Sequence, residues 1–139
     1  MIEYSYEFDF SLVNEARFTD WINRIIVSNE YFPGDISYIF CKDDYLLEIN
    51  KKYLKHDTYT DIITFDYTNG DLISGDIFIS IERVRENALE FGAEFQDELL
   101  RVMCHGILHL MGFKDKTEDD IEIMRSKENE MMKLFHVEH

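Results

Sequence analysis

The chain predicts an α+β domain: one small four-stranded mixed sheet with about five helices placed between and after the strands. Three observations predict it. Short runs of alternating or Ile/Thr/Phe-rich residues stand at 2–10, 36–41, 61–67 and 76–81, the signature of strands. Longer segments with apolar residues three and four apart separate and follow them. One of these, 94–111, is apolar almost all round, as a buried central helix must be. Helices set among few strands give the α+β class.

The elements follow in order. In residues 2–10, Ile2, Tyr4, Tyr6, Phe8 and Phe10 alternate with Glu3, Ser5, Glu7 and Asp9, so one face is buried and the other wet. Ser11 is placed to cap a helix running to about Asn29, with Phe18, Trp21, Ile22, Ile25 and Ile26 facing in. A Pro33-Gly34-Asp35 turn precedes a short strand from Ile36 to Cys41. Asp43 can cap a helix bearing Leu46, Leu47, Ile49, Asn50 and Tyr53. Strands at Asp61–Tyr67 and Asp76–Ile81 flank Asn69-Gly70. A helix from about Glu82 to Phe91 stops at Gly92. The central helix runs from about Glu94 to Met111, and Thr117-Glu118-Asp119-Asp120 forms a capping box for a last helix to about Phe135.

Composition bounds the function. The 139 residues make one domain, 1–139, large enough for a core without staples. A net charge of −15 argues against a broad basic face for nucleic acid. It favours solubility and a need for a cation. No run of about 18 apolar residues or more is present, so no membrane partner is expected. The N-terminus lacks the basic start and apolar run of a signal peptide. Cys41 and Cys104 both sit in apolar runs and read as buried free thiols, suited to a reducing cytosol.

The chemistry lies in residues 104–115, which read H-x-x-x-H-x-x-G-x-x-D from His105. His105 and His109 share one helix face. Gly112 ends the helix and returns Asp115 toward them. Two nitrogens and one oxygen with an open fourth position form the catalytic pattern for zinc. Nickel, cobalt and manganese suit the same donors. Such a pair alone is more often not a metal site; burial on an apolar helix, the glycine stop and the carboxylate favour the metal. Metalloproteases of this helix type place Glu, their general base, directly after the first histidine. Here that residue is Gly106. The open chemistry is Lewis-acid catalysis or activation of water at a phosphoryl or carbonyl group. The interior Gly106 costs about 1 kcal/mol relative to Ala, which predicts close approach of another backbone or a ligand.

These residues resemble a known family. His105-Gly106-Ile107-Leu108-His109-Leu110-Met111-Gly112-Phe113-Lys114-Asp115 is similar to the H-G-x-L-H-L-x-G-Y-D-H signature of the YbeY-type rRNA maturation endoribonucleases. The block from Asn50 to Phe65 resembles the family's N-x-x-Y-R-x-x-D-x-x-T-[DN]-V-L-[ST]-F, and Gly75-Asp76-Ile77 its G-D-[IV] strand. The order and the chain length agree. Two positions depart: Asp115 stands where the family has its third histidine, and Leu54 where it has arginine.

The resemblance implies a zincin-like fold around the metal-binding helix and a cytoplasmic, metal-dependent endoribonuclease. It implies one divalent metal, zinc first and nickel second, held by His105, His109 and Asp115. The reaction would be cleavage of single-stranded RNA in 16S rRNA 3′-end maturation and ribosome quality control. Its partners would be rRNA of the small subunit and ribosomal proteins or an assembly GTPase. Asn50, Thr60 and Asp61 fall at family positions, and with His56 as a nearby cation they make up the expected substrate pocket. Each also has a plain reading: Asn50 as a helix-end pin, Thr60 and Asp61 as loop-backbone partners, His56 as a solvated loop residue. A non-nucleolytic assembly factor with a structural metal is the competing function, and a hydrolase of another bond the third.

Overall fold

The computed structural model describes residues 1–56 and 58–137. The elements are β1 (Ile2–Tyr6), α1 (Glu15–Ser28), β2 (Phe32–Cys41), α2 (Asp43–Leu54), β3 (Ile62–Asp66), β4 (Leu72–Ser80), α3 (Ile81–Phe91), α4 (Phe95–Leu110) and α5 (Glu118–Phe135). The sheet order is β1-β2-β4-β3. β1 and β4 run parallel to β2, and β3 runs antiparallel to β4. The mixed four-stranded sheet and the five helices bear out the expected class.

The period-2 pattern assigns the faces. Ile36, Tyr38 and Phe40 of β2, with Ile73, Ile77 and Ile79 of β4, join the large core with α1, α4 and α5. Cys41, Ile63, Phe65 and Phe78 point the other way, onto Leu46 and Ile49 of α2. Each isoleucine fully buried in this way stabilises the fold by about 1.5–3 kcal/mol. Buried tyrosine and tryptophan on this face find acceptors on the helices: Tyr38 Oη donates to the Met103 carbonyl at 2.8 Å and Trp21 Nε1 to the Met131 carbonyl at 2.9 Å.

Several boundaries differ from the sequence reading. β1 ends at Tyr6, although Phe8 and Phe10 still pack on the core. They do so from a bend in which Phe10 N bonds to Phe8 O, not from a longer strand. The cap of α1 is Asn14, whose side chain accepts from Arg17 N, so Ser11 is not the cap. Pro33 lies inside β2, where a register shift between Pro33 and Ile36 absorbs the Pro33-Gly34-Asp35 segment. Lys42 rather than Asp43 is the N-cap of α2. The Asp43 carboxylate instead accepts from Ser80 Oγ at 2.5 Å and Arg83 Nη2 at 2.9 Å. β4 starts at Leu72, four residues earlier than expected.

Two local devices place the central helix. A methyl on Gly106 would sit 3.0 Å from Ile77 Cγ2 and 3.1 Å from Ile62 Cδ1. The glycine therefore lets α4 press on β3 and β4; the atoms that come close there are side chains of the sheet rather than another backbone. At its end, Gly112 (φ 98°) donates to His109 O at 3.0 Å and Phe113 N to Leu108 O at 3.0 Å. This pair of bonds is a Schellman ending, and it turns the chain so that Asp115 comes back to the helix face. The capping box of α5 forms as expected, with Thr117 Oγ1 accepting from Asp120 N and Asp120 Oδ2 from Thr117 N.

Candidate metal centre

His105 is the hub. Its Nε2 stands 3.2 Å from Asp115 Oδ2, and its Nδ1 stands 2.8 Å from Glu128 Oε2. Glu128 is only 4% exposed and also accepts from Arg101 Nη1 at 3.0 Å. Arg101 is fixed in turn by Asn129 Oδ1 at 2.8 Å. The side chain of His105 is thus oriented by a chain of charge-assisted bonds that reaches from α4 to α5. Burial alone would lower the basicity of His105; the Glu128 carboxylate, with Asp115 and Asp61 nearby, outweighs it and holds the imidazole above its ordinary value.

His109, one turn on, presents its ring parallel to that of His105, 4° apart in plane and 6.5 Å between centroids. It is exposed, as is Asp115. Among the described residues no three ligating side chains converge into a ready-made cage. His105 and Asp115 are already paired, and His109 is the outlying member.

Two cavities meet at this hub, and both are lined by His105, Asp115, Thr60 and Ile62. The first, about 400 Å³, adds Asp61, Asn87, Glu98, Arg101, Arg125 and Glu128. The second, about 650 Å³, adds His109, Asn50, His56, Leu54 and Tyr59. The structure thus brings every residue singled out in the sequence to the rim of one connected region. It divides them, with Asp61 on one side and Asn50, His56 and His109 on the other.

Their contacts differ in kind. Asn50, 3% exposed, donates through Nδ2 to Thr58 O at 2.8 Å and accepts at its backbone from His56 N at 3.1 Å. It pins the loop after α2 as well as forming a wall. Thr60 Oγ1 donates to Ile62 O at 3.4 Å. Asp61 accepts from Asn87 Nδ2 at 3.4 Å, and burial raises its carboxyl above the usual range. His56 is exposed. Asp57, within the Asn50–Phe65 block, lies outside the described residues.

Glu128 and Arg101 were not foreseen. Glu128 had a signal: it occupies the buried stripe of α5 with Met124, Met131 and Phe135. An acid in an apolar stripe needs a partner. Arg101 lies four residues before His105 and so shares its helix face.

The donor chemistry fits a divalent metal. Glu128 on Nδ1 leaves Nε2 of a neutral His105 as the lone-pair nitrogen, the carboxylate–histidine arrangement found behind metal-ligating imidazoles. Ligand atoms on a tetrahedral zinc with bonds near 2.0–2.1 Å stand about 3.4 Å apart, close to the 3.2 Å between His105 Nε2 and Asp115 Oδ2.

Comparison with known proteins identifies relatives over nearly the whole chain. Residues 4–136 match the family model described as Endoribonuclease YbeY. The chain is 59% identical over 138 residues to a protein of that name from Flavobacterium johnsoniae, covering 99% of each. It is 49% identical over 122 residues to one from Bacteroides thetaiotaomicron, covering 88% of this chain and 89% of that one. The solution structure of TM1509 from Thermotoga maritima superposes with a TM-score of 0.68 at 28% identity, over 97% of this chain and 89% of that one. A match of this length and identity places the protein in the YbeY endoribonuclease family.

Proposed function

We propose that residues 1–139 form one metal-dependent hydrolase domain that cleaves single-stranded RNA internally. Its place is the 3′-end maturation of 16S rRNA and ribosome quality control, in the cytoplasm. The endoribonuclease activity follows the relatives that share the name across nearly the whole chain. The observation that carries the metal reading is the double commitment of His105, with Glu128 on Nδ1 and Asp115 beside Nε2.

His105, His109 and Asp115 are the residues that would hold the ion, zinc first and nickel second. When bound, a divalent metal supplies Lewis-acid polarisation of a phosphoryl oxygen and acidifies water. Glu128 keeps His105 in the tautomer that offers Nε2. Asp115 contributes negative charge at the same point, which offsets part of the charge of a cation. Gly106 leaves no carboxylate base after the first histidine, so peptide hydrolysis lacks its usual proton acceptor. Thr60 and Asn87 line one side of the hub, and Asn50 and His56 line its other side. No helix among the described residues is long and apolar enough to cross a membrane.

A net charge of −15 repels RNA at long range. Docking on ribosomal proteins or an assembly GTPase would then bring the enzyme to its rRNA, with local contacts sufficing for the strand itself. The test is cleavage of a single-stranded 16S 3′-end fragment by zinc-loaded protein and by His105→Ala. Loss of cleavage in the variant and on chelation is the expected result; equal cleavage by both proteins would sink the proposal. The second reading, an assembly factor with a structural metal, draws on Leu54 in place of arginine. It requires a folded His105→Ala protein that supports subunit assembly without cleaving RNA.

A further inference from the structure

The 400 Å³ cavity on the α3–α5 side of His105 holds a cation that the metal centre does not use. Arg125 of α5 lines it, is exposed, and has no carboxylate within ion-pair distance among the described residues. Every other arginine is engaged. Arg17 and Arg24 donate to carbonyls at the end of α5. Arg83 pairs with Asp43 and Glu86. Arg85 lies over the Phe95 ring at 5.4 Å. Arg101 is held by Glu128 and Asn129. In a chain of net charge −15, the guanidinium with uncommitted donors opens beside the metal-ligand candidates. Asn87, whose amide already donates once to Asp61, adds its second N–H to the same wall. Four carboxyls line it: Asp115 stands beside His105, Glu128 is paired with Arg101 and His105, and burial disfavours the charged form of Asp61 and Glu98, the latter also within the electrostatic reach of Arg125.

We propose that this cavity is a phosphate subsite for the RNA strand on one side of the scissile bond, with Arg125 as its charge contact. It rests on the nuclease reading above and adds to it the direction in which the strand leaves the metal. A guanidinium offers a fork of donors matched to phosphate oxygens. The opposite cavity has Lys116 as its cation but no arginine, so the forked guanidinium contact of the strand lies on the α5 side. Arg125 thereby supplies from α5 the cation that Leu54 lacks on α2.

The test measures kcat and KM of the zinc-loaded protein on a single-stranded RNA oligonucleotide across a range of salt. The proteins are wild type, Arg125→Ala, Arg125→Lys and Lys133→Ala. Lys133 is exposed on the same helix, about 12 Å further along at 1.5 Å per residue, and its removal changes net charge equally. One phosphate contact to a single strand carries a slope of about 0.7 in log affinity against log salt. Arg125→Ala is therefore expected to raise KM about fivefold at ~0.1 M salt and to reduce the slope by about 0.7. Its kcat and zinc content should stay near wild type, because uniform binding is what it loses. Arg125→Lys recovers part of the KM, and Lys133→Ala leaves it unchanged. Equal KM and slope for Arg125→Ala and Lys133→Ala overturn the subsite while leaving a cleaving enzyme. A wild-type protein that does not cleave overturns the nuclease reading and the subsite together.

Discussion

At the scale of single residues, His105 is defined by its neighbours more than by its own position. Its Nδ1 partner Glu128 is buried and shared with Arg101. Replacing Glu128 with Gln keeps the shape and removes the charge that fixes the tautomer. Zinc affinity, measured by competition with a chelating dye, should fall by roughly 10–100-fold; an unchanged affinity would separate Glu128 from the metal. Glu98 gives a second prediction. Burial raises its carboxyl above the ordinary 4.5. An acid whose folded value is raised binds its proton more tightly when folded, so its charge weakens the fold at neutral pH. That penalty vanishes as the pH falls through the folded value to below the unfolded one. Glu98→Gln should raise the melting temperature of metal-free protein at about pH 7–8, with the gain gone near pH 4. A gain that persists at low pH would assign it to another cause. The shared face of His105 and His109 was legible from spacing because helix geometry fixes it, and Gly112 marked the turn that brings Asp115 back beside His105. Arg125 was not, because its place beside His105 depends on how α5 crosses α4.

At the scale of elements, α4 is the piece on which the site depends. Its glycine is a packing device: a methyl at residue 106 meets Ile77 and Ile62 at 3.0–3.1 Å. Gly106→Ala gains about 1 kcal/mol of helix propensity but forces overpacking that costs about 1–3 kcal/mol. The net expectation in urea unfolding is a loss of up to about 2 kcal/mol. Adding Ile77→Val, which removes the Cδ1 contact, should return part of it. A more stable Gly106→Ala would show that α4 does not press on the sheet. Element types were readable from period, and boundaries less so. Ser11 and Asn14 are both good caps, and only the bend at Phe8–Phe10 decides for Asn14. Asp43 was a plausible cap until Ser80 and Arg83, distant in sequence, claimed its carboxylate. The early start of β4 was hidden because Leu72–Gly75 gains strand geometry from pairing with Phe32, Pro33 and Ile36, not from its own pattern.

At the scale of the whole molecule, the parallel β1-β2-β4 order places the first and last helices on the same face as α4. That layering carries Glu128 and Arg125 of α5 to the site formed by the α4 histidines and the β3 entry. The site shares the acidic balance of the composition, with Asp61, Glu98, Asp115 and Glu128 in the cavity lining, and sets Arg101 and Arg125 among them. The strand order and the α4–α5 crossing were beyond the sequence patterns, since neither leaves a periodic trace; the shared face of His105 and His109 and the turn at Gly112 were within them. The most direct measurement adds zinc stepwise to metal-free protein and follows bound metal per chain and single-stranded RNA cleavage in the same samples. Cleavage should rise in step with occupancy and level off at one ion per chain, and His105→Ala should show neither. Full cleavage by chelated protein, or zinc uptake that leaves cleavage unmoved, would contradict a metal centre built on His105, His109 and Asp115.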